Sequence, residues 1–409
     1  MTRKDALIAA ATALTRLAYW KMSGTPDTGV FPWILSDGWL RHGRLSFGDQ
    51  PTAAFDPLYP LFIAAARWCA DSPSFVIAVQ IGIACVGAVC LGRLARIMSG
   101  RDDAAVGAAL AYAAYPYLIR QSAAFMEITL LSTLLLGAWL AWAAGRRHFA
   151  IAILALAVLT RSTVLPVALF GVLLMFRQDG WKSGVAAAAI VAAFLTPFVV
   201  YAHRLEGAWV PTRQGENLYV GNNPYAAQMI PRYDLDLLPD VGEARVHQRL
   251  GLAPDAVIPP AVLDRELTRE AWDYMKADPW RAVKAKIMNV FYFFDPRIVP
   301  LEGLSEDTTF AVTPEGRVVI ENTRKRPLAQ SAAHTVFYAA VLMTAVAGAW
   351  RRHQAGRTND LDAVLLASLV TLTAVSAVYF PTTRMRAPLD PMLMAYAACA
   401  FGAVSNRRP

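Results

Sequence analysis

Long uncharged apolar stretches, separated by short basic clusters, constrain this chain more than any other feature of its sequence. Segments such as FVIAVQIGIACVGAVCLG (75–92) and LLASLVTLTAVSAVYF (365–380) approach the roughly 20 residues that a helix needs to cross a bilayer. Hydrophobic residues make up 56% of the 409 and charged residues only 17%, whereas soluble domains average about 45–50% and about 25%. The sequence therefore predicts an all-α protein with many membrane spans.

Six basic clusters divide the apolar segments, and cytoplasmic loops of membrane proteins carry an excess of lysine and arginine. The clusters are Arg3/Lys4, Arg93/Arg96/Arg101, Arg146/Arg147, Arg177/Lys182, Arg351/Arg352 and Arg407/Arg408. If all six are cytoplasmic, an even number of crossings separates each from the next, and both termini lie inside. The N-terminal apolar run lacks a small-residue cleavage site, so we interpret it as a retained span rather than a signal peptide.

This alternation predicts about 10 or more transmembrane helices, arranged in three parts. Residues 1–203 would form an N-terminal transmembrane module with a first external loop at 23–73. Residues 204–327 would form a small external cap, and residues 328–409 the C-terminal transmembrane helices.

Short aromatic segments outside the predicted spans indicate helices at the membrane surface. In the first loop, 29–42 and 57–68 are too short to span and carry the tryptophan that favours the interface. In the cap, 264–296 predicts two amphipathic helices that are broken near Pro279.

Four arginines lie on short loops that this topology places outside, against the positive-inside bias. They are Arg120, Arg161, Arg384 and Arg386. Each half of the 149–176 hairpin has about 13 residues, or about 20 Å of helix, so Arg161 at its apex should lie at or below the membrane surface. Snorkelling or an ion pair explains one such arginine, whereas four on one face indicate a shared anionic ligand such as phosphate.

Several short motifs follow one another in an order that resembles a known family. They are Asp27 after the first span, FPWILSDGWLRHG, PTAAFDPLYPLFIAA, Glu127 opening the fourth span, LTR (159–161), ENLYVGNNP (216–224) and RMRAPLDP (384–391). The chain resembles the bacterial GT-C glycosyltransferases, a group that includes lipid A aminoarabinose transferase and the protein O-mannosyltransferases. Asp27 is followed by Thr28 instead of the Asp-Glu pair of the O-mannosyltransferases, which argues against that branch, and Asp56 stands where the family often has proline.

The resemblance implies an inverting hexosyl- or pentosyltransferase that moves a sugar from a polyprenyl-phosphate donor to an acceptor. The acceptor would be a lipid, a glycan or a protein. The resemblance also implies a multi-pass location in the bacterial inner (plasma) membrane, with the active site facing the periplasm or exterior. The partners would be the lipid-linked sugar, the acceptor and membrane lipids, with no nucleic acid.

Such a transfer needs a carboxylate that takes the acceptor proton and cations that face the leaving phosphate. Asp27 is the candidate base, although it could also be an ordinary turn aspartate. Glu127 would orient the acceptor, join Asp27 in holding Mg²⁺ or Mn²⁺, or pair with Arg120; no other cofactor is indicated. The candidate phosphate ligands are Arg161, Arg384 and Arg386. The candidate substrate-binding residues are Asp56, Tyr59, Asn217, Tyr219, Asn222 and Asn223, of which the Asn-rich group could equally form a turn.

Two other functional classes compete with this interpretation. A lipid or glycan transporter or flippase would show internal repeats and charges near the bilayer midplane, whereas no convincing repeat is present and the charges lie on predicted external loops. A polysaccharide polymerase or ligase is also arginine-rich, but the early aspartate and the GNNP loop argue against it. The sequence has no Walker, GxGxxG or HExxH motif, which argues against an ATP-driven pump or a zinc protease.

Overall fold

A computed structural model describes residues 2–209, 211, 213–313 and 315–402. The first part of the chain contains α1 (Arg3–Ser23), α2 (Phe31–His42), β1 (Ser46–Phe47), β2 (Gln50–Pro51), α3 (Leu58–Cys69), α4 (Pro73–Ser99), α5 (Asp102–Ala114), α6 (Pro116–Ser122), α7 (Ile128–Ala143), α8 (Arg147–Thr160), α9 (Leu165–Gln178) and α10 (Trp181–Glu206). A single 3₁₀ turn, Ser162–Val164, joins α8 to α9.

The middle part contains α11 (Gln214–Gly221), α12 (Ala226–Met229), α13 (Leu238–Leu250), α14 (Pro260–Ala277), α15 (Pro279–Phe293) and the short strands β3 (Glu302–Gly303), β4 (Thr309–Val312), β5 (Val318–Glu321) and β6 (Arg324–Lys325). The strands pair antiparallel as β3 with β6 and β4 with β5. The last part contains α16 (Leu328–Gln354), α17 (Asp360–Val378), α18 (Thr383–Arg386) and α19 (Asp390–Ala400).

The apolar segments that were predicted to span are helical in the structure. Among the described residues, four helices have the length and apolar composition of membrane spans: α4, α10, α16 and α17. The helices α7, α8 and α9 are apolar but shorter. The predicted helical fold class is confirmed, and the number of spans stays a prediction.

The bundle is built around α4, which packs against α1, α5, α7 and α19. Close approach relies on small residues, as is common in membrane helices. At Gly348 of α16 an added Cβ would lie 1.8 Å from the carbonyl oxygen of Tyr396, so α16 and α19 touch backbone to backbone. Some polar groups inside the bundle are paired: Trp139 is fully buried and its Nε1 donates to Ser368 Oγ at 3.3 Å.

One end of the bundle gathers the predicted cytoplasmic basic clusters. Ion pairs and hydrogen bonds join these loops, namely Lys4–Asp102, Arg93–Asp5, Arg96–Asp102, Arg147–Asp179, Arg147–Asp360, Arg352–Asp362 and Arg352 to the carbonyl of Met98. Arg407 and Arg408 of the sixth cluster lie outside the described residues. The alternation read from the basic clusters therefore corresponds to one common end of the helices.

The opposite end carries the first loop. The predicted surface segments form α2 and α3, which pack against each other. Arg67 on α3 fastens them, since it donates to Ser36 Oγ at 3.0 Å and to Asp37 at 3.2 Å and lies over the ring of Trp33. These contacts hold the first loop as a folded layer over the helix ends.

The segment between α10 and α16 also lies at this end, and we refer to it as the cap. Its helices α11, α13 and α14 share a small apolar core of their own, which includes Leu218, Val246 and Leu267. The break predicted near Pro279 is confirmed, because α14 ends at Ala277 and α15 begins at Pro279. The exact division of the chain into three parts stays a prediction.

The cap is attached to the C-terminal end of α17. The last carbonyls of a helix lack partners within the helix, and here cap side chains supply them. Asn289 donates to Ala377 O at 3.0 Å, while Asn222 and Lys286 donate to Val378 O at 2.9 and 2.8 Å. This attachment places the cap beside the short α17–α19 connection.

Candidate phosphate-binding site

Four charged side chains from distant parts of the chain meet at the end of the bundle that carries the first loop and the cap. Asp56 precedes α3, Glu127 precedes α7, Arg161 follows α8 and Arg384 lies in α18. Each stands where a helix begins or ends, so the bundle itself brings them together. We refer to these four residues as the charged cluster.

Glu127 is the centre of the charged cluster. Arg384 donates through Nη2 to both carboxylate oxygens, at 3.1 and 3.0 Å, and through Nε at 3.3 Å. Arg161 Nη1 lies 3.6 Å from the same carboxylate. A carboxylate that is only 8% exposed needs such partners, because an unpaired buried charge is strongly unfavourable. In the described part of the chain, Glu127 thus pairs with Arg161 and Arg384, and not with Arg120, a pairing that the sequence had left open.

The two arginines still offer hydrogen-bond donors. Arg161 is largely enclosed, with 12% of its side chain exposed, and its Nη1 makes no hydrogen bond to any described residue. Arg384 is 46% exposed, so part of its guanidinium faces outward. An oxyanion placed beside Glu127 would meet donors from both, in the forked geometry that suits phosphate.

Asp56 adds a titratable charge to the charged cluster. It accepts hydrogen bonds from Ser162, from the backbone N–H at 3.2 Å and from Oγ at 3.5 Å. Burial raises the pKa of Asp56 to about 6, against the hydrogen bonds of Ser162 and the charge of Arg161, which lower it, and the charge of Glu127 raises it further. The net charge of the charged cluster therefore changes near pH 6. Ser162 was not singled out from the sequence, although it follows Arg161 in the LTR motif.

Tyr59 supports the charged cluster indirectly, through hydrogen bonds. It is 2% exposed and its hydroxyl donates to Gln80 Oε1. Gln80 Nε2 in turn donates to the carbonyls of Ser122 and Ala124, at 3.2 and 2.9 Å. These bonds hold the turn that leads into Glu127, so the described contacts of Tyr59 are structural, and its role in substrate binding stays a prediction.

Asp27 lies in the loop between α1 and α2 and is exposed. Its Oδ1 accepts a hydrogen bond from the N–H of Gly29 at 2.9 Å, which forms a local aspartate turn. The loop lies at the same end as the charged cluster, because Trp33 of α2 packs against Phe125 with ring centroids 4.8 Å apart. The role of Asp27 as a base stays a prediction.

Arg386 lies apart from the charged cluster, although only one residue separates it from Arg384. Its side chain is 1% exposed, with Nε 3.3 Å from the buried Asp390. Its Nη1 donates to the carbonyls of Phe293 and Asp295, and its Cζ lies 3.5 Å from the ring centroid of Tyr338. Residues i and i+2 of a helical turn point to different sides, so this placement does not support the predicted grouping of Arg386 with the phosphate ligands.

The asparagines of the ENLYVGNNP motif are used within the cap. Asn217 Nδ2 donates to Arg213 O at 2.9 Å, and Asn222 Nδ2 donates to Leu218 O at 2.8 Å. Asn223 donates to Tyr219 O at 2.8 Å and accepts from the N–H groups of Tyr225 and Ala226. The motif is helical up to Gly221 and the asparagines end that helix, which fits the turn interpretation better than direct substrate contact.

The surroundings of Glu127 fit an anion better than a divalent cation, because two guanidinium groups already face its carboxylate. Within the part of the chain that the structure describes, no group of three or more His, Cys, Asp or Glu side chains is gathered as a metal site. A cation held by Asp27 and Glu127 stays a prediction.

No family model and no curated protein sequence matches the chain. Among solved structures, it is similar to the archaeal oligosaccharyltransferase AglB from Archaeoglobus fulgidus, in complex with an inhibitory peptide and a dolichol-phosphate, at 11% identity and a TM-score of 0.48. That match covers 97% of this chain and 50% of the AglB chain, so the chain spans about half the length of AglB.

It is also similar to ArnT from Cupriavidus metallidurans in two states. The structure bound to undecaprenyl phosphate matches at 11% identity and a TM-score of 0.42, over 97% of this chain and 77% of ArnT. The apo structure matches at 11% identity and a TM-score of 0.38, over 95% and 77%.

Proposed function

We propose that this chain is an integral-membrane inverting glycosyltransferase that moves a hexosyl or pentosyl group from a polyprenyl-phosphate donor to an acceptor. The reaction takes place at the end of the bundle that holds Glu127, which faces the periplasm or exterior of a bacterial inner membrane. The observation that supports the proposal is the pair of arginines, Arg161 and Arg384, held on one buried carboxylate with donors to spare.

Arg161 and Arg384 bind the donor phosphate, and Glu127 holds both guanidinium groups in place before the donor arrives. Donors that are already oriented need not reorganise when negative charge develops on the leaving phosphate, which is how such groups accelerate a reaction. Glu127 also compensates one of the two positive charges, so that the pair is stable in a buried position without a ligand.

In the transfer, the acceptor hydroxyl oxygen forms a bond with the anomeric carbon while the bond from that carbon to the phosphate oxygen breaks. The bonding electron pair stays on the phosphate oxygen, where Arg161 and Arg384 stabilise it. The acceptor proton passes to the carboxylate of Asp27, the exposed acidic group of the loop after α1. The lipid tail remains in the bilayer beside the apolar helices.

The proposal is tested by sugar transfer from a fluorescent polyprenyl-phosphate sugar with the purified protein, without ATP or a nucleotide sugar. Arg161→Ala and Arg384→Ala should each lower the rate about 10- to 100-fold, because a hydrogen bond to a charged group contributes about 1.5–3 kcal/mol. Lysine at either position should restore only part of the rate, since its ammonium group lacks the two parallel N–H donors of a guanidinium group. Arg317→Ala, at an exposed arginine of the cap, is the matched control and should have no effect.

Asp27→Asn should keep donor binding and lose transfer by about 10²- to 10⁴-fold, the usual contribution of a general base. EDTA separates a base from a metal ligand: inhibition that Mg²⁺ or Mn²⁺ reverses would place a cation on Asp27. Full activity of the Arg161→Ala/Arg384→Ala double variant would show that the arginines only anchor helix ends, and the proposal would fall.

A further inference from the structure

A pocket of about 260 Å³ lies in the cap, between α11, α13 and α14. Its walls include Tyr219, Asn222, Arg245, Glu270, Asp273 and Tyr274. None of these residues belongs to the charged cluster. The pocket is nevertheless close to the α17–α19 connection that carries Arg384, because Asn222 donates to the carbonyl of Val378 at the end of α17.

One wall of the pocket has a hydrogen-bonding group without a partner. Tyr219 is 1% exposed, and its hydroxyl makes no hydrogen bond within the described part of the chain. Its ring packs on α13, since a Cβ added at Gly242 would lie 2.7 Å from Cε1 of Tyr219. Burial raises the pKa of Tyr219 to about 12, so the hydroxyl remains a donor at neutral pH. A buried hydroxyl without a partner is unfavourable, and a ligand or water that reached it from the pocket would satisfy it.

The charges around the pocket are already paired. Glu270 lies 3.3 Å from Arg245 and 3.2 Å from Arg249, and Asp273 lies 3.8 Å from Arg269. The pocket therefore has no unpaired arginine fork of the kind that selects phosphate. Paired carboxylates and guanidinium groups still accept and donate hydrogen bonds at their free positions.

Two tyrosine rings complete the wall. Tyr219 and Tyr274 provide apolar surface beside the polar groups, and Arg281 covers one face of Tyr274 at 4.2 Å. A ligand that fits has many neutral hydroxyl groups and a C–H face that can lie against a ring. Sugars combine both properties, whereas phosphate lacks the apolar face.

We propose that this pocket binds a neutral sugar unit of the acceptor and so holds a glycan on the cap beside the site of transfer. The assignment of the sugar to the acceptor rests on the proposed function, whereas the binding of a neutral sugar does not. Tyr219 donates to a sugar hydroxyl, and Glu270 accepts from another.

The test measures, by saturation-transfer NMR, the binding of methyl hexopyranosides of the gluco, galacto and manno series to the full chain in nanodiscs. Tyr219→Phe and Glu270→Gln should each weaken binding about 5- to 10-fold, as expected for the loss of one hydrogen bond. The matched controls Tyr233→Phe and Glu243→Gln change other cap residues and should bind like the wild type. Arg384→Ala should also bind methyl glycosides normally, because it lies outside the pocket.

The outcomes separate this inference from the proposed function. Unchanged glycoside binding in both Tyr219→Phe and Glu270→Gln overturns the inference, and so does binding of inorganic phosphate that Arg245→Gln abolishes. If glycoside binding follows the pocket variants while the arginine variants of the charged cluster transfer sugar at full rate, the pocket stands and the proposed function falls. If transfer depends on Arg384 but glycoside binding is unchanged in Tyr219→Phe and Glu270→Gln, the proposed function stands and the inference about the pocket falls.

Discussion

Arg384 and Arg386 show how two residues of one short motif come to differ completely in environment. Arg384 is partly exposed and pairs with Glu127, whereas Arg386 is enclosed and pairs with Asp390, which also accepts a hydrogen bond from Tyr115 at 2.6 Å. α18 is a single helical turn, and the twist between its positions sends the first side chain to the charged cluster and the second into the bundle.

This difference predicts opposite consequences for the two alanine variants. Arg386→Ala should destabilise the protein by about 3–5 kcal/mol, because it leaves the buried carboxylate of Asp390 without its cation. Arg384→Ala should be less destabilising, because Arg161 still lies 3.6 Å from the carboxylate of Glu127, and it should lose transfer instead. Thermal unfolding in detergent measures both; an Arg386→Ala variant that is as stable as the wild type but cannot bind donor would return Arg386 to the phosphate site.

Asp56 predicts a pH dependence of donor binding. Its pKa is raised from 3.8 to about 6, mainly by burial, so it is neutral below pH 6 and adds a negative charge to the charged cluster above it. The donor phosphodiester keeps one negative charge over this range, and its affinity should fall about 10-fold as the pH rises through 6, since a nearby charge costs on the order of 1–3 kcal/mol. The raised pKa also affects folding stability. The contribution of Asp56 to stability is fully present below pH 3.8 and is lost as the pH rises from 3.8 to about 6.

Equilibrium binding of a donor analogue between pH 5 and pH 8 measures this effect. Asp56→Asn should bind as the wild type does at low pH and show no decline. A decline of the same size in Asp56→Asn would mean that another group titrates, and the role given to Asp56 would be wrong.

At the scale of elements, the junction between the cap and α17 depends on the absence of a side chain at Gly221. A Cβ there would lie 1.6 Å from the carbonyl oxygen of Tyr379, so the end of α11 and the end of α17 are in backbone contact. The side chains of Asn222, Lys286 and Asn289 then complete the unpaired carbonyls of α17.

Gly221→Ala should therefore loosen the cap, at a cost of at least about 1–3 kcal/mol for an overpacked contact. We expect faster proteolysis within the cap and weaker transfer. Gly107→Ala on α5 is the matched control, because nothing lies within 4 Å of its added Cβ. Equal resistance of both variants to protease would show that the junction between α11 and α17 accommodates the added methyl group, and the prediction would be wrong.

At the scale of the whole molecule, the two ends of the bundle differ in chemistry. One end joins arginines to aspartates at loop surfaces, as in the pairs of Arg93 and Arg147, whereas the other carries the charged cluster, the first loop and the cap. The excess of basic residues at the first end predicts that it faces the cytoplasm, and this orientation stays a prediction.

Labelling with a membrane-impermeant maleimide tests this orientation in intact cells. The exposed Cys69 should react from outside in the wild type, and Asp255→Cys in a Cys69→Ser background should do the same. Ala355→Cys, between α16 and α17, should react only after the membrane is opened. Labelling of Asp255→Cys from the cytoplasmic side alone would invert the orientation.

Local sequence determined where this chain forms apolar helices, where the cap helices break and which loops are basic, because length, proline and charge act within a few residues. The family resemblance also placed Glu127, Arg161, Arg384 and Arg386 in one site, and the structure brings only the first three of them together. Even the pairing of Arg386 with Asp390 was available locally, since four residues separate them on a helical turn.

Only the tertiary structure decided which charges meet. Glu127 and Arg384 are 257 positions apart and Asp56 and Ser162 are 106 apart, so their contacts depend on how the helices pack and not on any local pattern. Packing also decided that the asparagines of the cap complete backbone groups while the hydroxyl of Tyr219 has no hydrogen-bond partner among the described residues. Burial gives these groups their chemistry, because a charge or hydroxyl removed from water depends on the few atoms that the fold brings beside it.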